Sequence, residues 1–204
     1  MSALEIFDCE QGSDDWFRVR LGMPTASEFS TVLASGKGGG VSITRRTYLD
    51  KLAAERITGR PTATYTNRFM ERGSAMEGEV RDYYTMLTDT NPQRVGFIKN
   101  EKKGCSPDAL IDANGMLEIK TAEQHIMIRV FDNDCVPTDH IPQLQGNLWV
   151  AEREWIDLII YCPGMKAFIR RVHRDESYIA RLAAAVNQFN NELDALTERV
   201  RSLQ

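Results

Sequence analysis

The segment 105-CSPDALIDANGMLEIKT-121 sets three polar groups of mixed charge, Asp108, Glu118 and Lys120, among apolar residues. Its layout predicts two short strands, "DALID" and "MLEIKT", joined by a tight turn at Asn114-Gly115, a dipeptide that favours hairpin geometry. Residues two apart on a strand share a face. Glu118 and Lys120 therefore project together, while Ile119 points the other way, into the core. An antiparallel hairpin brings Asp108, near the head of the first strand, close to Glu118. Spacing alone leaves two readings, a salt bridge at a strand end or a metal site. Converging carboxylates repel, and burial pushes one of them toward protonation. A divalent cation removes that conflict, and oxygen ligands with open water positions are what Mg2+ prefers. A protonated Lys120 is no ligand, but it can hold a water beside a metal or face charge developing on a phosphate. Metal-assisted phosphodiester hydrolysis is the chemistry this trio suits.

Composition narrows the setting. The 204 residues, 42% hydrophobic and 26% charged, are enough for a sizeable core and predict a single α/β domain over 1–204. No apolar run approaches the ~20 residues of a membrane helix. The acidic start, "MSALEIFDCEQGSDDWF", lacks a secretory pattern, so cytoplasmic residence is expected. Cysteines 9, 105, 135 and 162 form no CxxC pair, and histidines 125, 140 and 173 show no zinc spacing. Reduced thiols follow, and any metal should be held by oxygen. The net charge of −4, from 25 basic and 29 acidic residues, argues against gripping nucleic acid by bulk charge, though not against a local basic site.

Capping signals predict helices over "DDWFRVRL" behind Ser13, "ASEFSTVLA" behind a Thr25–Glu28 capping box, and "RRTYLDKLAAERIT" from Thr44 to Gly59. A further helix is expected over 66–88. From residue 94 the period becomes that of strands, and "RVGFIK", "DALID" and "MLEIKT" read as a three-stranded meander. A helix around "IPQLQGNLWVAE" follows, then "WIDLIIYC" and "KAFIRRVH" flanking a Pro163-Gly164 turn. In the tail, Ile179, Leu182, Val186, Phe189, Leu193, Leu196, Val200 and Leu203 alternate spacings of three and four. That seam fits either a coiled coil or a long helix laid on its own domain.

Upstream, Arg20 closes the first helix and Ser27 lies in the first turn of the next. Free N–H groups, a hydroxyl and a guanidinium make a phosphate site, unless they serve only as caps and surface. Ser106, two before Asp108, can reach the same region. Glu77 is one of several acids on the 66–88 helix. Gln143 and Gln145 interrupt an apolar pattern without being singled out by spacing.

Together, "SDDWFRVRLGMPTASEF", "RGSAMEGEVRDYY", "CSPDALIDANGMLEIKT" and "IPQLQGNLWV", in that order, resemble the lambda-exonuclease (YqaJ-type viral recombinase) branch of the PD-(D/E)xK nuclease superfamily. The resemblance implies a restriction-endonuclease-like α/β core: a mixed, mainly antiparallel central sheet flanked by helices on both sides. It implies a ring-shaped homotrimer, bacterial or prophage-encoded, that threads duplex DNA. Such a ring degrades the 5′-ended strand to mononucleotides and leaves a 3′ tail for a single-strand annealing recombinase. By the same resemblance Asp108, Glu118 and the Ile119 carbonyl are metal ligands, with Glu77 near a second ion. Two Mg2+ are implied, Mn2+ being a substitute. Lys120 matches the catalytic lysine and Gln143 the glutamine that orients water. Arg20, Ser27 and Ser106 match the 5′-phosphate pocket. The segment "TAEQHIMIRV" departs from the best-known member, leaving His125 and Arg129 as candidates for a further phosphate-binding cation. Lys37, Arg45 and Arg46 are the basic groups available for a DNA contact, and Met70 is either a strand-separating wedge or a buried helix residue. An endonuclease or resolvase of the same superfamily, or a non-catalytic DNA-end-binding scaffold, is the alternative. A scaffold has no evident need of the full Asp108/Glu118/Lys120 set.

Overall fold

The computed structural model describes residues 4–36, 38, 40, 42–62 and 68–203, the side chains of 68–74 excepted. In chain order its elements are β1 (Leu4–Phe7), α1 (Asp14–Val19), a 3-10 turn (Ala26–Glu28), α2 (Phe29–Leu33), α3 (Ile43–Thr58) and α4 (Arg68–Thr88). Strands β2 (Phe97–Asn100), β3 (Lys103–Cys105), β4 (Ala109–Ile111) and β5 (Gly115–Thr121) follow. The chain closes with α5 (Gln124–Asn133), a 3-10 turn (Thr138–His140), α6 (Ile141–Val150), β6 (Trp155–Tyr161), β7 (Phe168–His173) and α7 (Glu176–Arg201).

Four strands in the order β4-β5-β6-β7 form the central mixed sheet: β4 and β7 run antiparallel to their neighbours, and β5 and β6 run parallel. Alternation of side chains along β5 sorts its residues into two layers. Leu117 and Ile119, with Ala109, Ile111 and Ile159, pack on Val80 and Tyr84 of α4. Met116, with Ile156, Leu158 and Ile160, packs on the opposite face against a larger core from α2, α3, α6 and α7. The sheet thus has helices on both sides, as expected. The apolar seam of α7 is buried from Ile179 to Leu196 and packs against α2, α3 and α6, so the internal-helix reading of the tail holds.

Several expectations need correction. The "RVGFIK" segment does not complete a meander. Its strand β2 pairs with β1 and β3 in a separate three-stranded antiparallel sheet, and Gln93, just before the segment, makes an isolated bridge to Leu110 of β4. The chain reverses at once after β2, with Glu101 at a positive φ of 56°, so β3 takes the edge that β4 would have used. β1 and β3 were not expected because both are too short to show a period. The β4–β5 turn is centred on residues 112–114, with Asp112 at φ 47°, and not on Asn114-Gly115. Gly115 already lies in β5, and it must lack a side chain because a Cβ there would sit 2.2 Å from the Trp155 ring. Thr25 makes no capping bond, and the helix expected behind it is only a 3-10 turn plus the five residues of α2. α3 is capped by Ser42, which accepts from the Arg45 amide, in place of Thr44. α5 was unforeseen; it buries Met127 and Val130 on one side.

A buried clamp ties α4 to the central sheet. Asp157 of β6, 4% exposed, accepts from Tyr84 Oη at 2.6 Å and from Arg171 Nε and Nη2 at 2.9 Å each. The Arg171 guanidinium also stacks 3.6 Å from the Trp155 ring centre. Removing the shared acceptor leaves a buried phenol and a guanidinium without it. Asp157→Ala is expected to cost about 3 kcal/mol and Tyr84→Phe about 1 kcal/mol in urea denaturation. An Asp157→Ala protein as stable as the wild type would contradict this role.

Candidate active site

The site is built where β4, β5 and α6 meet. The Asp108 amide donates to Leu117 O at 3.1 Å, which sets the residue at the head of β4. Its carboxylate turns back to accept from the Ile119 amide at 2.5 Å. Glu118, on the α6 face of β5, is 3% exposed and fully engaged. Its Oε1 accepts from Lys120 Nζ at 2.7 Å and from Gln143 Nε2 at 2.6 Å, and its Oε2 from Asn147 Nδ2 at 3.0 Å. Gln143 and Asn147 lie four apart on α6, one turn, so both amides meet the same carboxylate.

The electrostatics follow from this crowding. Burial, then the charge of Glu118 and that of Glu77, push the Asp108 carboxyl well above its ordinary range against the opposing pull of Lys120 and the Ile119 amide. Burial alone would lower the Lys120 pKa, yet the charge and hydrogen bond of Glu118, with Asp108 and Glu77, raise it. Lys120 is therefore a firmly protonated ammonium. Burial raises the Glu77 carboxyl too; Arg81, Arg94 and Lys120 oppose that shift and Glu118 adds to it, which places Glu77 within electrostatic reach of the cluster. Among the described residues no three His, Cys, Asp or Glu side chains converge as a metal site. Two carboxylates in repulsion still suit a hard cation that keeps several of its waters.

A second network lies beside it. Trp16 Nε1 donates to Ser106 Oγ at 2.9 Å. The Arg20 guanidinium stacks 3.9 Å from the Trp16 ring centre and donates to Thr25 Oγ1 at 3.1 Å. Thr25 Oγ1 in turn lies 3.3 Å from Ser27 Oγ. Arg20, Ser27 and Ser106 are thus linked, but by side chains, because the short 3-10 turn and α2 provide no extended helix N-terminus. The strap "LGMPT", which brings Thr25 into this network, is pinned from both sides. Gly22 donates to Glu55 Oε2 at 2.9 Å and accepts from Arg56 Nε at 2.6 Å, the Thr25 amide donates to Tyr48 Oη at 3.3 Å, and Pro24 O accepts from Gly104 at 3.1 Å. Gly22 has φ 63°, and a Cβ on it would run into Arg56. Burial lowers the Arg20 pKa, although Tyr48, Glu55 and Glu28 oppose the shift. Among the described residues Arg20 forms no ion pair with a carboxylate.

Other candidates stand apart from these networks. Arg45 is committed to Glu192 on α7 at 2.7 Å, and Arg46 to Asp50 at 2.9 Å. His125 and Arg129 are exposed on α5, with His125 3.4 Å from Glu123. Lys37 and the Met70 side chain lie outside the described residues. Sequence reasoning missed Asn147, Trp16 and Thr25, and also His140, which ends the turn before α6; burial, then Lys120, lower its pKa against Glu118 and Asp139. Asn147 could have been found as the polar residue one turn after Gln143 in an apolar helix. Gln145 has a structural task, donating to His173 O at 2.9 Å and accepting from the Asp175 amide at 3.0 Å.

A family model described as a YqaJ-like viral recombinase domain matches residues 15–154, which span the strap, both networks and α6. The chain belongs to the YqaJ-like viral recombinase family. Among solved structures it is similar to an alkaline exonuclease, LHK-Exo, from Laribacter hongkongensis, with 28% identity, TM-score 0.83, and coverage of 93% of this chain and 97% of that one. The same exonuclease in complex with dAMP gives a TM-score of 0.85 at 28% identity over the same shares of the two chains. A phage-related exonuclease from Haemophilus somnus, 12% identical with TM-score 0.65 over 87% of this chain and 96% of that one, shares the fold. No curated protein matches the chain.

A cation held by Asp108 would compete with the proton that burial and Glu118 favour on that carboxylate. The protonated form gains as pH falls, so Mg2+ affinity should weaken toward acid, and binding should release protons. Calorimetry in two buffers of different ionisation enthalpy measures that release. Asp108→Asn should weaken binding by about tenfold or more. Affinity that is independent of pH would contradict the competition.

Proposed function

We propose that this protein is a Mg2+-dependent exonuclease that hydrolyses the 5′-ended strand of duplex DNA to mononucleotides, leaving a 3′ single-stranded tail. One observation carries the reading. Asp108 accepts from the Ile119 amide, between Glu118 and Lys120 of the bonded Glu118–Lys120–Gln143 cluster, and lies two residues along the chain from Ser106, which shares a network with a half-buried guanidinium that, among the described residues, pairs with no carboxylate. A partly desolvated Arg20 that meets no carboxylate among the described residues calls for an anion, and a terminal phosphate would bring the first phosphodiester toward Glu118 and Lys120. Family membership and the resemblance to alkaline exonucleases support nuclease chemistry, and the dAMP complex of the Laribacter protein supports a mononucleotide product.

In this reading Asp108, Glu118 and the Ile119 carbonyl hold the metal, with Glu77 close to a second ion. The bound metal supplies a water of lowered pKa and neutralises charge on the phosphate. The rest falls to the chain. Gln143 orients the attacking water through its amide, and the Lys120 ammonium faces the oxygen on which negative charge grows. Asn147 keeps Glu118 aimed at the site. Arg20, Ser27 and Ser106 hold the 5′-phosphate so that successive nucleotides enter in register. A single domain assembled as a homotrimeric ring would keep DNA bound by enclosure, which suits a chain with a formal charge of −4. A 3′ tail made in this way, in a bacterial cytoplasm, is the substrate of a single-strand annealing recombinase. Among the described residues no helix is long and apolar enough to cross a membrane.

Three substrates with Mg2+ separate this activity from others: 5′-phosphorylated linear duplex, the same duplex with 5′-hydroxyl ends, and closed circular DNA. Mononucleotide release should be fastest from the first and absent from the third. Cutting of the circle would make the protein an endonuclease, and no cleavage at all would make it a scaffold. Lys120→Ala should reduce cleavage by about a thousandfold or more while DNA binding survives. Arg20→Ala should shrink the preference for 5′-phosphate by roughly tenfold or more.

A further inference from the structure

We infer that Trp16 is the positioning residue of the anion pocket. Its single indole fixes both the Ser106 hydroxyl and the Arg20 guanidinium, and so sets how strongly phosphorylated DNA ends are preferred over hydroxyl ends. This inference rests on the 5′-phosphate reading of Arg20 and Ser106.

Two contacts made by opposite parts of one ring carry it. The edge of the indole donates Nε1–H to Ser106 Oγ at 2.9 Å. A serine hydroxyl has one proton and two lone pairs. With one lone pair taken by the indole, the Ser106 O–H is left to donate to an anion, and its swing about the Cβ–Oγ bond is restricted. The face of the same ring lies 3.9 Å from the Arg20 guanidinium carbon. Stacking fixes the plane of the guanidinium fork, and the bond from Nη2 to Thr25 Oγ1 at 3.1 Å fixes its rotation within that plane. The donors not used by Thr25 are left for an oxyanion, which planar forks bind in a set orientation. Because Thr25 Oγ1 accepts from Arg20, its own proton can go to Ser27 Oγ 3.3 Å away, freeing the Ser27 proton for the same anion. Donors from Ser106, Arg20 and Ser27 are thereby coordinated through one aromatic ring and one threonine.

Trp16 is itself held in place. Its amide donates to the Ser13 cap of α1 at 3.3 Å, its ring meets the Phe17 ring edge-on at 5.0 Å between centres, and Arg20 follows four residues later, on the same side of α1. The indole is half-buried and touches neither Glu118 nor Lys120 by any hydrogen bond. It acts on the reaction through two other residues.

The test compares initial rates on 5′-phosphorylated and 5′-hydroxyl linear duplex, at saturating Mg2+, for the wild type, Trp16→Phe and Trp16→Leu. Phenylalanine keeps a ring under Arg20 and loses the N–H, whereas leucine loses both. Trp16→Phe should lower the phosphate-to-hydroxyl rate ratio about fivefold, the factor of one ordinary hydrogen bond. Trp16→Leu should lower it further, toward the ratio of Arg20→Ala. Partial retention by phenylalanine is the mark of a ring that stacks as well as donates. If the wild type prefers phosphorylated ends and both variants keep its ratio, the role of Trp16 is overturned and the pocket stands. Equal losses on both substrates would reduce Trp16 to a structural part of α1 and overturn it as well. A wild type without any preference would instead remove the phosphate reading on which the inference rests.

Discussion

Glu118 holds the most consequential interaction in the molecule. Taking a carboxylate out of water costs several kcal/mol, and only good hydrogen-bond geometry offsets it. Glu118 is almost wholly buried and has three donors to do so: an ammonium from its own strand and two amides from α6. These bonds fix the register of α6 on β5 from the polar side, while Leu144 and Leu148 of α6 fix it from the apolar side. The same three bonds orient Lys120 and Gln143 toward a shared point. Fold and chemistry are thus coupled at one side chain, because loosening α6 would also scatter the groups that could handle water.

The second constraint is the strap from Leu21 to Thr25. It crosses α3 and joins the edge of the small sheet, where Thr25 bridges to Gly104 of β3. β3 ends at Cys105 and leads directly into Ser106, and strap and β3 are held side by side by the main-chain bond from Gly104 to Pro24. That arrangement is what lets residues 16–27 and 106–120, far apart in sequence, offer two adjoining polar networks. The central sheet supports one network and the small sheet the other. Their junction, the three residues from Ser106 to Asp108, is short, and Pro107 stiffens it.

Much of this was legible in the sequence. The strand period of "MLEIKT" put Glu118 and Lys120 on one face and Ile119 on the other, and the layers on the two sides of β5 follow that division. The chain order of helices 43–58, 68–88, 141–150 and 176–201 was readable from caps and periods. What could not be read depended on contacts distant in sequence. Asn114-Gly115 looks like a turn because that dipeptide usually is one, yet Gly115 is glycine because Trp155 from the neighbouring strand fills the space of its side chain. Asn147 and Trp16 look like filler until a carboxylate and a serine from other segments meet them. Arg45 looks like a free surface cation, but α7 supplies Glu192 to it across most of the chain length. The three residues of β3 carry no period at all and are strand only because β2 lies beside them.

The most direct test of metal chemistry at Glu118 is a crystal structure with Mn2+, read by anomalous scattering. One or two peaks are expected between the carboxylates of Asp108 and Glu118, with the first within ligand distance of both. Lys120 Nζ should then have moved from its 2.7 Å contact with Glu118 Oε1, since cation and ammonium compete for that oxygen. Manganese bound elsewhere, with the Lys120–Glu118–Gln143 cluster unchanged, would contradict a metal-dependent nuclease centred on these residues.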